Sequence, residues 1–141
     1  MTIAAILGND PVPVVTIRRG ATVAQAVELL ATHRIGAVPV MEGEMVVGIL
    51  SERDVVRLLA QDRAALDGPV DAVMTAPAIT VAPDQPAIGA LSLMTRRRIR
   101  HLPVVEGPRL VGFVSIGDLV KYRIDRIEAE AAAMRDYIQH G

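Results

Sequence analysis

The sequence predicts an α/β (α+β) fold made of two β-α-β-β-α repeats followed by an extended C-terminal helix. Three observations carry that expectation. The 141-residue chain aligns with itself, without a gap, at an offset of 64. Fourteen positions between 16 and 56 are identical to their partners, several times what unrelated sequence gives. Each copy also ends in the same motif: glycine, two apolar residues, serine, two variable residues, aspartate. It reads Gly48-Ile49-Leu50-Ser51-Glu52-Arg53-Asp54 in the first copy and Gly112-Phe113-Val114-Ser115-Ile116-Gly117-Asp118 in the second. Finally, the apolar periodicity after the second motif runs on past the length of its counterpart.

Taken in order, Thr2 caps a short helix over residues 3–7, which the segment from Gly8 to Pro13 breaks. Residues 14–17 are β-branched and read as a strand, and Gly20 turns the chain. Thr22 with Gln25 three residues on is a capping-box pattern. Val23, Ala26, Val27, Leu30 and Ala31 then mark one helical face, ended by Ile35-Gly36. Residues 38–41 form a short strand with Pro39 near its start, where a missing N–H is tolerable. Glu42-Gly43-Glu44 is a hairpin turn into the apolar run 45–50, which reads as a central strand. Ser51 opens a helix to about Ala60.

The link from Gln61 to Pro69 is short and polar with a Gly68-Pro69 breaker, so the halves are expected to pack together. Residues 70–74 repeat the opening helix at an offset of 67, which leaves three extra residues in the loop 8–13 of the first copy. Residues 79–81 are the strand. Asp84 or Gln85 caps a helix with Pro86 in its first turn and Ala87, Ala90, Leu91 and Met94 on its inner face. A second hairpin turns at Glu106-Gly107-Pro108, and the last helix starts near Ser115. Along it Val120, Ile124, Ile127, Ala131, Met134 and Ile138 step by four and three with charges between, a seam suited to a partner helix. Packing against its own domain competes with that reading for the first half of the seam. Domain boundaries follow at 1–64, 65–126 and 127–141.

Composition narrows the function. Hydrophobic residues make up 51% of the chain, yet no run approaches the roughly 18 residues a membrane span needs. The apolar excess goes into a dense core or an oligomer interface. Net charge is −1 and aromatics number three, Phe113, Tyr122 and Tyr137, which argues against a nucleic-acid surface. The absence of cysteine removes disulfides and thiolate chemistry and fits a cytoplasmic setting. The start of the chain lacks a basic region, so no signal peptide is read. His33, His101 and His140 lack metal-ligand spacing, no nucleophilic triad is laid out, and no Walker or dinucleotide glycine loop occurs; an enzyme is not expected.

Two chemistries fit Ser51 with Asp54, and Ser115 with Asp118. The carboxylate can accept from both hydroxyls of a ribose, while serine and the free N–H groups of a helix start meet a phosphate. Equally, serine caps the helix and aspartate reaches back to its N–H. Both roles can coexist.

The tandem unit, with an apolar-Pro-Val strand, acidic-Gly turn, Val-Gly and Ser-x-x-Asp, resembles the cystathionine-β-synthase (CBS) domain pair, or Bateman module, here stand-alone. The resemblance rests on Ile35-Gly36-Ala37-Val38-Pro39-Val40 with 48–54, and on Ile99-Arg100-His101-Leu102-Pro103-Val104 with 112–118. It implies one pseudo-twofold module and a sensor of AMP, ADP, ATP or S-adenosylmethionine that acts on a regulated protein, with a flat homodimer common in the family. Ser51, Asp54, Ser115 and Asp118 become nucleoside-binding positions. Thr16 and Thr80 border the pockets. Ile35, Gly36, Ala37, Pro39 and Ile99, Arg100, His101, Pro103 offer main chain and apolar walls to a base.

Where the first copy has Gly36-Ala37, the second has Arg100-His101, next to Arg96-Arg97-Arg98. Arg96 and Arg97 read as a solvated helix face. Arg98, Arg100 and His101 make one site cation-rich, and Arg53 serves the plainer one. The alternative is a scaffold protein whose pockets are unused.

Overall fold

The computed structural model describes residues 1–9 and 13–140, so the middle of the 8–13 loop lies outside the described residues. The order is α1 (Ile3–Leu7), β1 (Ile17–Arg18), α2 (Val23–His33), β2 (Ala37–Glu42), β3 (Met45–Ser51) and α3 (Glu52–Gln61). Two 3₁₀ turns follow, Ala65–Asp67 and Val70–Ala72. Then come α4 (Ala87–Arg97), β4 (His101–Glu106), β5 (Arg109–Ser115) and α5 (Ile116–His140).

Each repeat centres on a hairpin: β2 pairs antiparallel with β3, and β4 with β5, in matching register. Gly43 and Gly107 open the two hairpin turns with φ of 60° and 58°, a conformation glycine adopts without strain. β1 adds to β2 in parallel. Each sheet has its own core. Ile17, Val23, Ala26, Leu30, Val38, Val40, Leu50, Val55 and Val70 form one. Ile3, Val81, Ala90, Met94, Leu102, Val104, Val114 and Leu119 form the other. The capping box of Thr22 and Gln25 is present, as is the Thr2 cap on α1.

Membership of the cores crosses the repeats. Ile3, from the first residues of the chain, is fully buried in the second core, and Val70, from the link, is fully buried in the first. The backbone bonds that hold them come in matched pairs. Ile3 N–H donates to Gln85 O and Val70 N–H to Ala21 O. Ala87 N–H donates to Met1 O and Val23 N–H to Gly68 O. Each half therefore takes its opening segment from before the other. Side chains follow the same rule: Leu7 lies over Gly112, and Met74 over Gly48. An added Cβ would stand 2.7 Å from Leu7 Cδ1 at Gly112, and 2.6 Å from Met74 Sδ at Gly48. Glycine in the Val-Gly motif is thus what admits the exchanged segment.

Several elements differ from the sequence reading. The strand expected over 14–17 is only Ile17–Arg18, and that over 79–81 is a single bridge from Val81 to Val104. At Val81 the pairing with β4 is limited to two backbone bonds, Val81 N–H to Pro103 O and Val105 N–H to Val81 O. Within its sheet β3 is an edge rather than central, because β2 takes both neighbours; Ile49 instead exchanges backbone bonds with Thr75. Of residues 70–74, expected to repeat the opening helix, Val70–Ala72 form a 3₁₀ turn rather than an α-helix. Pro86 itself is the N-cap of α4, with no side-chain cap bond, and Gln85 turns back to accept from Ala82 N–H. Ala31 is exposed, and Leu29 packs on the core instead. Both α2 and α4 end on an arginine in the left-handed conformation, Arg34 and Arg98, at φ of 53° and 54°.

No helix of the described residues is long and apolar enough to cross a membrane. One ion-pair cluster ties the link to the first sheet. Arg19 Nε is 2.6 Å from Asp71 Oδ2, Arg19 Nη1 is 3.1 Å from Glu42 Oε2, and Gly20 N–H donates to Asp71 Oδ1. The Gly20 N–H, then Arg19, hold the Asp71 carboxyl below its ordinary range.

Truncating Ile3 to alanine should cost about 2–5 kcal/mol, because it empties a fully buried site. Amide exchange is the check: protection should fall in α4, β4 and β5 while β2 and β3 keep theirs. Loss confined to the first sheet would contradict the exchange of segments. Gly48→Ala should destabilise by about 1–3 kcal/mol, and more than Gly112→Ala. At Gly48 the added carbon also meets Thr75 backbone oxygen at 3.0 Å, whereas at Gly112 it meets movable leucine methyls.

Candidate functional site

A cleft of about 810 Å³ opens between the two halves. One wall is the end of α2 and its exit, His33, Arg34, Ile35, Gly36 and Ala37. The opposite wall is the end of β5 and the start of α5: Gly112 to Ser115, Asp118, Lys121, Tyr122 and Asp125. Pro13, Val14 and Val15, with Ile6 and Leu7, complete the lining, and His101 stands at the junction.

The Ser-x-x-Asp motif explains how this wall is built. In both copies it is a helix cap. Ser115 N–H donates to Asp118 Oδ2 at 2.8 Å, and Asp118 N–H donates to Ser115 Oγ at 3.1 Å. Ser51 and Asp54 do the same at 2.9 and 3.2 Å. The copies then part. Asp54 Oδ2 also accepts from the Ser51 hydroxyl, and Asp54 Oδ1 accepts from the Thr75 hydroxyl at 3.4 Å. Asp118 Oδ1 has no protein donor among the described residues, and the residue lines the cleft. One carboxylate has protein donors on both oxygens; the other has them on one alone among the described residues.

His101 joins the two walls. Its ring stacks on Phe113, centroids 5.6 Å apart and planes 12° from parallel. Across the junction it fills the space over Gly36, where a Cβ would stand 3.3 Å from its Cε1. Burial holds the imidazole below its ordinary range; Asp118 and Glu52 pull it up, and Arg100 pushes it down. A neutral ring at neutral pH therefore sits beside the carboxylates.

Of the residues singled out from sequence, the cleft gathers Ile35, Gly36, Ala37, His101, Ser115 and Asp118. Thr16 lies in a separate hollow of about 470 Å³ with Arg18, Gln25 and Glu28. Pro39 and Pro103 are buried in β2 and β4, and Thr80 is exposed. Arg53, Arg98 and Arg100 are exposed and Ile99 half-buried, and none of the four lines the cleft. The arginine-rich motif thus contributes His101 to this cleft, and the arginine and lysine found there are Arg34 and Lys121. Sequence reasoning passed over Lys121, Tyr122 and Asp125. Their signal was spacing: three, four and seven residues past Asp118, they continue its face along one helix. Two of the three aromatics, Phe113 and Tyr122, line this one cleft.

The CBS-domain family model matches residues 10–61 and 70–125. The chain belongs to the CBS domain family. It is 36% identical over 126 residues to the mitochondrial CBS domain-containing protein CBSX3 of Arabidopsis thaliana, covering 85% of this chain and 61% of that one. It is 35% identical over 122 residues to YhcV of Bacillus subtilis, covering 84% and 85%. Among solved structures, a putative signal-transduction protein with CBS domains from Burkholderia ambifaria superposes with TM-score 0.83 at 39% identity, over 89% of this chain and 95% of that one. The CBS protein PAE2072 of Pyrobaculum aerophilum, complexed with AMP, gives 0.76 at 34% over 84% and 89%. The CBS domain pair of protein MJ0100, in complex with 5′-methylthioadenosine and S-adenosyl-L-methionine, gives 0.79 at 26% over 89% and 98%.

Because folding depresses the His101 pKa, its sign is fixed. Above about pH 6.5 the ring is neutral in both states and contributes no pH dependence. As pH falls through about 6.5 toward the lower folded value, the unfolded chain binds the proton first and stability declines. The His101→Gln chain should lose that acid-side decline, read as a flatter thermal midpoint against pH below about 6.5. Parallel curves for the two proteins would assign the decline elsewhere.

Proposed function

We propose that this CBS pair is a non-catalytic regulatory module that binds an adenosyl ligand in the cleft between its halves and passes occupancy to a regulated protein. The observation that carries the proposal is the cleft itself: main chain of Ile35, Gly36 and Ala37 on one side, and on the other a carboxylate with an oxygen to spare. Asp118 Oδ1 would accept from the ribose hydroxyls. Ile35 and Val14, with Phe113 and Tyr122, offer apolar and aromatic surface to the base. Arg34 and Lys121 would face a phosphate or another anionic tail. A ligand here touches both halves, so it favours whichever arrangement of them fits it best. The AMP, methylthioadenosine and S-adenosylmethionine of the relatives share adenine and a ribose diol.

A second site is proposed around Ser51, Arg53, Asp54, Thr80, Arg98, Ile99, Arg100 and Pro103, with Thr16 beside the first repeat. Its aspartate is already engaged by Thr75, so it is the weaker of the two. The proposed units are the repeats 1–64 and 65–126 with the extension 127–141, each repeat completed by the opening segment of the other. The proposed setting is cytoplasmic, with neither membrane nor nucleic acid among its partners and a homodimer as the working assembly. A scaffold with unused pockets is the alternative.

The experiment is a thermal-shift panel of AMP, ADP, ATP, S-adenosylmethionine and 5′-methylthioadenosine. A ligand at one hundred times its dissociation constant should add about 2.7 kcal/mol of stability. Asp118→Ala should abolish the response and Asp54→Ala should leave most of it; a 2′-deoxy analogue should bind at least tenfold more weakly. No shift with any of these ligands would favour the scaffold. A response lost in Asp54→Ala and kept in Asp118→Ala would move the site to the first motif.

A further inference from the structure

Helix α5 has two faces with different business. Asp118, Lys121, Tyr122 and Asp125 line the cleft. At 100° per residue, Val120, Ile124, Ile127, Ala131, Met134 and Ile138 fall on the opposite side. Leu119 is the one buried residue of the helix, and the five large residues of this stripe are 43–73% exposed. None of the six belongs to either core. A stripe that steps by four and three over 19 residues, on a helix its own protein does not cover, has the geometry of a coiled-coil seam.

The charges beside the seam choose its partner. With Ile124, Ala131 and Ile138 at the a positions and Val120, Ile127 and Met134 at d, the flanking g positions are Arg123 and Glu130 and the e positions Lys121, Glu128 and Arg135. In a parallel pair each g residue faces the e residue five places on in the other strand. Arg123 then meets Glu128, and Glu130 meets Arg135, opposite signs both times and twice over by symmetry. In the antiparallel pair that overlaps the same stretch, Glu128 meets Glu128, Glu130 meets Glu130, and Lys121 meets Arg135. Glu130 is 65% exposed even with its own Arg126 at 3.6 Å, which leaves room for a second partner.

We propose that residues 120–138 of α5 form a parallel two-stranded coiled coil with the same residues of a second copy of this chain, leaving the cleft open on the outer face. The seam is shorter than three heptads, so association is expected in the micromolar range and depends on concentration.

Light scattering on the full chain from about 1 to 100 µM should reach twice the 15.1 kDa chain mass at the upper end. Ile124→Asp with Ile127→Asp, both exposed in the single chain, should give a folded monomer by circular dichroism. Direction is read from Met134→Cys, clean because the chain has no cysteine of its own. Mild oxidation should cross-link the parallel pair; the antiparallel one would hold these residues roughly 15 Å apart, out of reach of a disulfide. Glu128→Arg should weaken the dimer at least tenfold, and adding Arg123→Glu should restore it. A monomer at 100 µM, a dimer that survives Ile124→Asp with Ile127→Asp, or no cross-link would each overturn the proposal. The ligand response of the monomeric variant should persist, so the coil and the cleft fail separately.

Discussion

Each half of this protein is finished by a piece of chain that lies before the other half. The opening segment places Ile3 in the second core and Leu7 over Gly112, while the link places Val70 in the first core and Met74 over Gly48. The close approach is possible because both strands carry glycine at that point, and both glycines belong to the repeated motif. The packing closes the two halves against one another, with β3 against β5 and the cleft along the join. Removing either glycine, or either apolar side chain, acts on the join as much as on a core.

The duplication makes the two copies alike, and small substitutions then make them unlike where it counts. At the offset of 64, Ala37 corresponds to His101, and His101 is the ring that stacks on Phe113 and fills the space above Gly36. At the offset of 67, Thr75 corresponds to Gly8, and Thr75 supplies the hydroxyl that takes the second oxygen of Asp54. Two caps built from the same serine and aspartate are left with different capacity to accept from outside. The pseudo-symmetry thus provides two equivalent places, and two positions outside the shared motif make them unequal.

Much of the fold was legible in the chain because its signals are local. The Thr22 and Gln25 box, the two hairpins and the helix starts at Ser51 and Ser115 depend on residues within four of each other. What was missed depends on distant partners. The strands expected over 14–17 and 79–81 have the right side chains, but a strand also needs a neighbour with free N–H and C=O groups. The central place given to β3 followed from its apolar run, whereas Ile49, which exchanges backbone bonds with Thr75, shows that the link supplies part of what β3 meets. In the cleft, Ser115, Asp118 and the 35–37 segment were readable from the motif. That the first repeat's 35–37 would face the second repeat's motif was not, since periodicity says nothing about which copy meets which. Lys121 and Tyr122 were not singled out as site residues, and Arg98 and Arg100 were chosen for charge and for their place beside the motif, yet neither lines the cleft.

The exchange of opening segments also sets an order on synthesis. Residues 1–7 leave the ribosome well before residues 83–85, yet Ile3 and Ala4 bond to Gln85 and Pro83, some eighty residues later, and Ile3 shares its core with Leu119. Until that stretch emerges, this apolar segment has no native partner. The first core, by contrast, is complete once Met74 is out. The core of the half translated first needs no residue beyond Met74, whereas the core of the second half also needs Ile3 from before the first. Loop closure of that length is slow relative to hairpin formation. A change that displaces α1 would therefore burden the second half of the protein, although α1 precedes the first half in the chain.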